Sequence, residues 1–140
     1  MVVYVTAADP EVVAAADDDR LYELLTGPDA WELDNVWWVA VSLLTPGFGL
    51  IDGEALTDAL DDTHVLCLGP DAVTIKLDAL SRLDRDELLR RFHCGSWRSV
   101  PFGPEPSMED AEWIVEGALQ LVDVYRAAAR DGYVVLTAMV

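Results

Sequence analysis

Apolar residues recur three and four apart through Ala111, Ile114, Val115, Ala118, Leu119, Val122, Tyr125 and Ala129, one face of a 3.6-residue period. The spacing predicts a helix over 107–131. Ser107 can cap it, with Asp110 three residues on able to reach back. Gly132 stops it as the C′ residue, with Arg126 and Arg130 near its negative end. Residues 133–140 then have the β-branched and apolar character of a buried strand. This helix-to-strand unit is the element on which the remainder of the chain is expected to pack.

Upstream, residues 2–6 read as a strand closed by Asp9-Pro10, which cap and open a short helix. The Asp17-Asp18-Asp19 run lacks the alternating acids, glycine and distal Glu of a calcium loop. It fits the acidic first turn of a second helix, 20–25, ended by Thr26-Gly27-Pro28. Residues 34–45 form a helix that Asp34 begins and Pro46-Gly47 ends, apolar on most of its circumference and hence central. Residues 48–53 read as an apolar, Gly-rich loop lying against the body, and 54–60 as a short helix. Strands are predicted at 64–68 and 72–76, followed by a helical pair from Leu77 to Phe92 in which Asp84 caps the second member. The stretch 93–106 holds three prolines, two glycines, Trp97 and Phe102, a long connection that the aromatics pin to the surface. The expected fold is α+β: one compact domain over 1–140, with a small, mostly antiparallel or mixed sheet packed by four to six helices. The helices 34–45 and 107–131 should cross the same sheet or each other.

Composition supports a filled core: 52% of the 140 residues are hydrophobic and five are Trp. Charge changes the picture more. Twenty-six acids face nine bases, a net −17, where a small soluble domain is comfortable at about 2 to 8 in magnitude. Such a field repels nucleic acid and attracts basic surfaces. The longest apolar stretch is too short to span a membrane, and the N-terminus lacks the basic n-region of a signal peptide. Cys67 and Cys94, far apart, fit a reducing compartment. A cytoplasmic protein with no membrane contact is expected, its state as monomer or homodimer open.

Three stretches carry a family resemblance. They are Leu33-Asp34 with Trp37 and Leu43-Leu44-Thr45; Gly69-Pro70 with Val73 and the 77–92 helical pair; and Val124-Tyr125-Arg126 with Gly132 and the terminal strand. In order and spacing, 33–140 resembles the YfbM-like family of bacterial proteins of unknown function. The resemblance implies a single α+β domain with few strands and many helices, and no activity to carry over. Relatives commonly have a His where this chain has Val41, a Gly where it has Pro46, and an acidic, Gly-rich segment where it has 63–68. A polar cleft built from those positions in the family would be partly lost here.

No P-loop, dinucleotide fingerprint, zinc helix or nucleophile elbow is present. His64, Cys67, His93 and Cys94 include an adjacent pair whose side chains diverge, a poor tetrahedral set, so neither metal nor cofactor is expected. A Cys94–His64 nucleophile pair has no local signature, and a packed thiol is the simpler reading of Cys94. Asp61, Asp62, His64 and Asp71 read as a solvated sheet edge. Arg85, Arg90, Arg91 and Arg98 could cradle a phosphate, but the surrounding acids favour salt bridges. Tyr125 should bury its ring with its hydroxyl bonded. Two functions remain. The first is a non-enzymatic binding or inhibitory module, of immunity type, for a basic protein partner. The alternative is a small enzyme or ligand-binding domain whose pocket is lined by Trp38 and Trp97, with Asp34, His64 and Asp71 as polar groups.

Overall fold

The computed structural model describes residues 2–46, 49–56, 64–99 and 102–140. Five strands form one antiparallel sheet: β1 (Val3–Ala8), β2 (Trp31–Glu32), β3 (Glu54–Ala55), β4 (His64–Leu68) and β5 (Val134–Met139), in the order β2-β1-β5-β4-β3. The last strand is the central one. Thr137 sits opposite Val5 on one side and Leu66 on the other. Strand alternation sends β5 side chains to opposite faces. Val134, Leu136 and Ala138 join Leu21 and Leu25 in one core, while Val135 joins Val3, Val5 and Leu68 in the other.

Among the described residues there are six helices: α1 (Pro10–Ala15), α2 (Asp18–Leu25), α3 (Trp37–Leu44), α4 (Pro70–Leu80), α5 (Arg85–Cys94) and α6 (Ala111–Asp131). The acids read as helix starts act as such. Asp9, Asp17 and Asp84 accept hydrogen bonds from the backbone N–H groups of Glu11, Arg20 and Glu87. α2 covers one face of the sheet. α6 lies on the other, and α3, α4 and α5 pack on α6. α6 opens with a 3-10 turn, Met108–Asp110, capped by Ser107 at Glu109. It ends at Gly132, whose φ of 68° is the left-handed conformation that glycine adopts without strain. The connection 48–53 is seen from Gly49, and Leu50 is buried against the body; Phe48 lies outside the described residues. No described helix is long and apolar enough to cross a membrane.

Three expectations are corrected. Residues 72–76 are helical, inside α4. The β-branched run Val73-Thr74-Ile75 resembles a strand, but Pro70 fits the first turn of a helix, and the burial follows helical geometry. Val73 is fully buried and Ile75 is 73% exposed, although both would share one face of a strand. Glu54–Ala55 is a strand rather than the start of a helix, because it pairs with Cys67 and Leu66 of β4; residues 57–60 lie outside the described residues. The Trp helix begins at Trp37, not Asp34: Val36 stands at its cap and the Asp34 carbonyl accepts only a turn bond from Trp37. Trp31, ahead of it, is drawn into the sheet opposite Val5.

Candidate functional site

The five residues expected around an aromatic pocket fall in four places. Trp38 and Trp97 meet edge to face, centroids 5.7 Å apart, and Trp97 stacks on Phe92 at 5.5 Å. Each of these Trp residues is only 2% exposed, so the pair is packed core and presents no appreciable surface to an incoming ligand. Trp97 Nε1 donates to the Phe92 carbonyl at 2.9 Å, and the Arg98 guanidinium covers its outer side at 4.6 Å. Trp38 Nε1 is buried and has no partner among the described residues. Gly103 lies over it; a Cβ there would stand 3.0 Å from that nitrogen. Asp34 is exposed ahead of α3, His64 is exposed at the start of β4 opposite Met139, and Asp71 is exposed in the first turn of α4. Among the described residues, no hydrogen bond or ion pair joins these three to one another or to the indoles. Asp61 and Asp62 lie outside the described residues.

The thiols are free and differ in setting. Cys67 is half-buried in β4, and burial, with Glu54 opposite it, pushes its thiol up. Cys94 is exposed at the end of α5 rather than packed, because the helix turns its other face, Leu88 and Phe92, inward. His93 lies edge-on to Phe92 at 5.6 Å. Among the described residues no three His, Cys, Asp or Glu side chains gather as a metal site would require.

Charge organises the surface more clearly than any pocket does. All nine bases are tied to carboxylates within the chain. Arg20 meets Glu23, Lys76 meets Asp52, and Arg82 meets Asp78. Arg85 meets both Glu112 and Glu116. Arg90 and Arg91 share Glu87, and Arg98 meets Glu105. Arg126 and Arg130 take Asp123 and Asp131. The arginines weighed as a phosphate cradle are therefore each engaged. Their mutual spacing on α5 brings Arg90 and Arg91, three and four residues after Glu87, onto one carboxylate. Hydrogen bonds from Arg90 and then Arg91 hold that carboxyl at about 2.

Five of the acids left over lie together in sequence on α1 and α2. Asp9, Glu11, Asp17, Asp18 and Asp19 have no basic partner there, and the one base, Arg20, is spent on Glu23. Tyr22 stands among them at 56% exposure. Asp29, in the turn after α2, lines a separate groove of about 470 Å³ together with Thr6, Asp123, Arg130, Asp131 and Tyr133. The groove lies beside the last turn of α6, where the helix's negative end adds to the same sign of charge. Arg130 holds the Asp131 carboxyl below the usual carboxylate range, so it is ionised at neutral pH. The acidic face of α1 and α2 is the candidate functional site. The Asp run was legible as acidic helix-start chemistry; the exposure of Tyr22 beside it depends on folding and was not.

No protein-family model matches the chain, and no curated protein matches it. Among solved structures, it is similar to YfbM from Escherichia coli, described as a protein of unknown function. The match covers 100% of both chains at 21% identity, with a TM-score of 0.66. At that identity the likeness is one of fold. The chain thus has a YfbM-like α+β fold, with the α6–β5 corner at its centre.

Proposed function

We propose that the protein is a non-enzymatic binding or inhibitory module, of immunity type, that docks a basic protein partner on the acidic face of α1 and α2. The partner class is that of a nuclease, toxin or DNA-binding protein, whose own surface is made to meet phosphate. The observation that carries this reading is the pairing of all nine bases inside the chain. With the cations neutralised locally, the net −17 is expressed by unpaired acids. A field of one sign steers an oppositely charged partner and speeds encounter. Tyr22, exposed within the acids, supplies the aromatic anchor that interfaces favour. The two free thiols agree with action in the cytoplasm.

The test is titration of purified basic nuclease and toxin domains against the protein across a series of salt concentrations. Binding should weaken steeply with salt, mainly through a slower association rate. Replacing Asp17, Asp18 and Asp19 together by Asn should reduce affinity at low salt, with the helix start preserved by Asn as cap. Absent or salt-insensitive binding, or a triple variant that binds unchanged, defeats the proposal.

A further inference from the structure

We propose that a second site, remote from the acidic face, binds a small organic carboxylate in the cleft where α3, α4 and α5 end. The cleft has a volume of about 600 Å³, within the range of roughly 300–1,000 Å³ typical of metabolite sites. Arg90, Arg91, Ser42 and Thr45 supply polar lining, and Leu44 and Leu83 apolar lining. In a chain with 26 acids, no described Asp or Glu lines it.

Its charge is also unlike the rest of the surface. Glu87 is the one described carboxylate that serves two bases, so the Arg90–Arg91–Glu87 triad keeps one positive charge in surplus. Two guanidinium edges remain available. Arg90 uses Nε and Nη2 on Glu87, while its Nη1 has only the Cys94 Sγ, at 3.8 Å. Arg91 uses Nε on Glu87 and Nη1 on the Leu43 carbonyl, which leaves Nη2.

Three helix C-termini beside a site would ordinarily favour a cation. Here several of their carbonyls are already engaged. Arg91 takes Leu43 O, Gly95 N–H takes Arg91 O, and Phe92 O receives both Gly95 N–H and the Trp97 indole. At the end of α4, Ser81, Arg82 and Leu83 N–H groups take Leu77, Ala79 and Leu80 carbonyls. The polar side chains that line the cleft are guanidinium and hydroxyl groups, beside the Cys94 thiol. Thr45 Oγ1 accepts from Leu50 N–H at 2.9 Å, and its own proton is free to donate. Ser42 keeps a buried hydroxyl with no partner among the described residues. A monoanion matches a surplus of one positive charge, and a planar carboxylate matches the guanidinium fork. A phosphate monoester, with nearly two charges, would be under-compensated in a chain already at −17. Leu44 and Leu83 select an apolar body behind the carboxylate.

Cys94 lines the same cleft and provides the readout. The full-length protein is treated with iodoacetamide, and alkylation at Cys94 and Cys67 is followed separately by mass spectrometry. Benzoate or hexanoate at millimolar concentration should slow modification of Cys94 at least threefold and leave Cys67 unchanged. Benzamide and inorganic phosphate should leave both rates unchanged. Arg90→Gln, at a largely exposed position, should weaken benzoate binding about tenfold, the loss of one charge-assisted hydrogen-bonding group. Arg90→Lys should recover part of it. Equal protection by benzamide, stronger protection by phosphate, no protection by either carboxylate, or a folded Arg90→Gln variant that binds normally overturns the proposal.

Discussion

The indole nitrogen of Trp31 donates to the carbonyl of Gly117 at 2.9 Å, joining residues 86 positions apart in the buried interior. The bond ties the edge strand β2 to the middle of α6. It forms where the helix has no side chain. A Cβ on Gly117 would stand 2.7 Å from Leu33 Cδ2 and 2.9 Å from Cδ1. Glycine inside a helix costs about 1 kcal/mol against alanine, yet here it lets the chain carrying Trp31 and Leu33 lie against the backbone. Overpacking a filled core costs about 1–3 kcal/mol. Gly117→Ala is therefore expected to lower stability by about 1 kcal/mol net. The further change Leu33→Val, by shortening the opposing side chain, should make the alanine less costly. Chemical denaturation of both singles and the double closes the cycle; a more stable Gly117→Ala protein contradicts the packing account.

Trp38 and Trp97 are equally buried and touch each other, but among the described residues only Trp97 has a partner for its N–H. Truncation to Phe removes similar volume from each. At Trp97 it also removes a hydrogen bond to the Phe92 carbonyl, worth about 1 kcal/mol. At Trp38 it removes a donor that is unsatisfied under Gly103. Trp97→Phe should thus be less stable than Trp38→Phe by about 1 kcal/mol. Urea midpoints of the two variants, measured with equal slopes, decide it; equal midpoints mean that Trp38 has a hydrogen-bond partner.

The α6–β5 corner was legible because several local signals agree there: the apolar period, Ser107 at the start and Gly132 at the stop. Helix starts at Asp9, Asp17 and Asp84 were legible for the same reason. The segment 72–76 misled because Val73-Thr74-Ile75 has β-branched residues, while the helix is held by Pro70 and by burial of Val73 and Leu80 in the core around α6. β2 carries almost no local signal. Two residues become a strand because β1 offers an edge and Trp31 is anchored to Gly117. The Trp pocket was an open alternative because periodicity cannot separate a lining aromatic from a core one, and burial places both in the core. The sharing of Glu87 was readable from its spacing to Arg90 and Arg91. The convergence of three helix ends around those arginines is tertiary and was not.

Tyr125 makes its hydroxyl bond to the Leu50 carbonyl at 3.3 Å and is 1% exposed. Burial, and to a lesser degree the charge of Asp52, raises its pKa well above the ordinary 10.0. The sign follows from the unfolded chain, which ionises near 10 while the folded protein stays neutral. The phenol's contribution is complete below about pH 10 and is lost as pH rises toward the folded value. Tyr125→Phe should lose about 1 kcal/mol at neutral pH through the missing hydrogen bond. Above pH 10 the wild type should weaken faster than the variant, so the gap narrows or reverses. Guanidinium titrations from pH 8 upward test this; a gap that stays constant shows that the phenol is free to ionise in the fold.

Glu87 holds α5 to α3 through Arg91, whose Nη1 reaches the Leu43 carbonyl. The carboxylate accepts from Arg90 at 2.7 Å and 2.9 Å and from Arg91 at 3.0 Å. These bonds lower its pKa from the usual 4.5 to about 2. A lowered folded value means that the ionised carboxylate favours the fold, so its contribution is present above about 4.5 and is lost as pH falls toward 2. Glu87→Gln keeps the shape and the backbone N–H that Asp84 caps, but not the charge. The variant should melt below the wild type at pH 7, with a difference that shrinks through that acid window and vanishes near its lower end. The gap should also shrink with added salt, since the group is exposed to screening. If the difference persists unchanged at the acid end, Glu87 acts through side-chain packing, and the charge shared by the two arginines is not what couples α5 to α3.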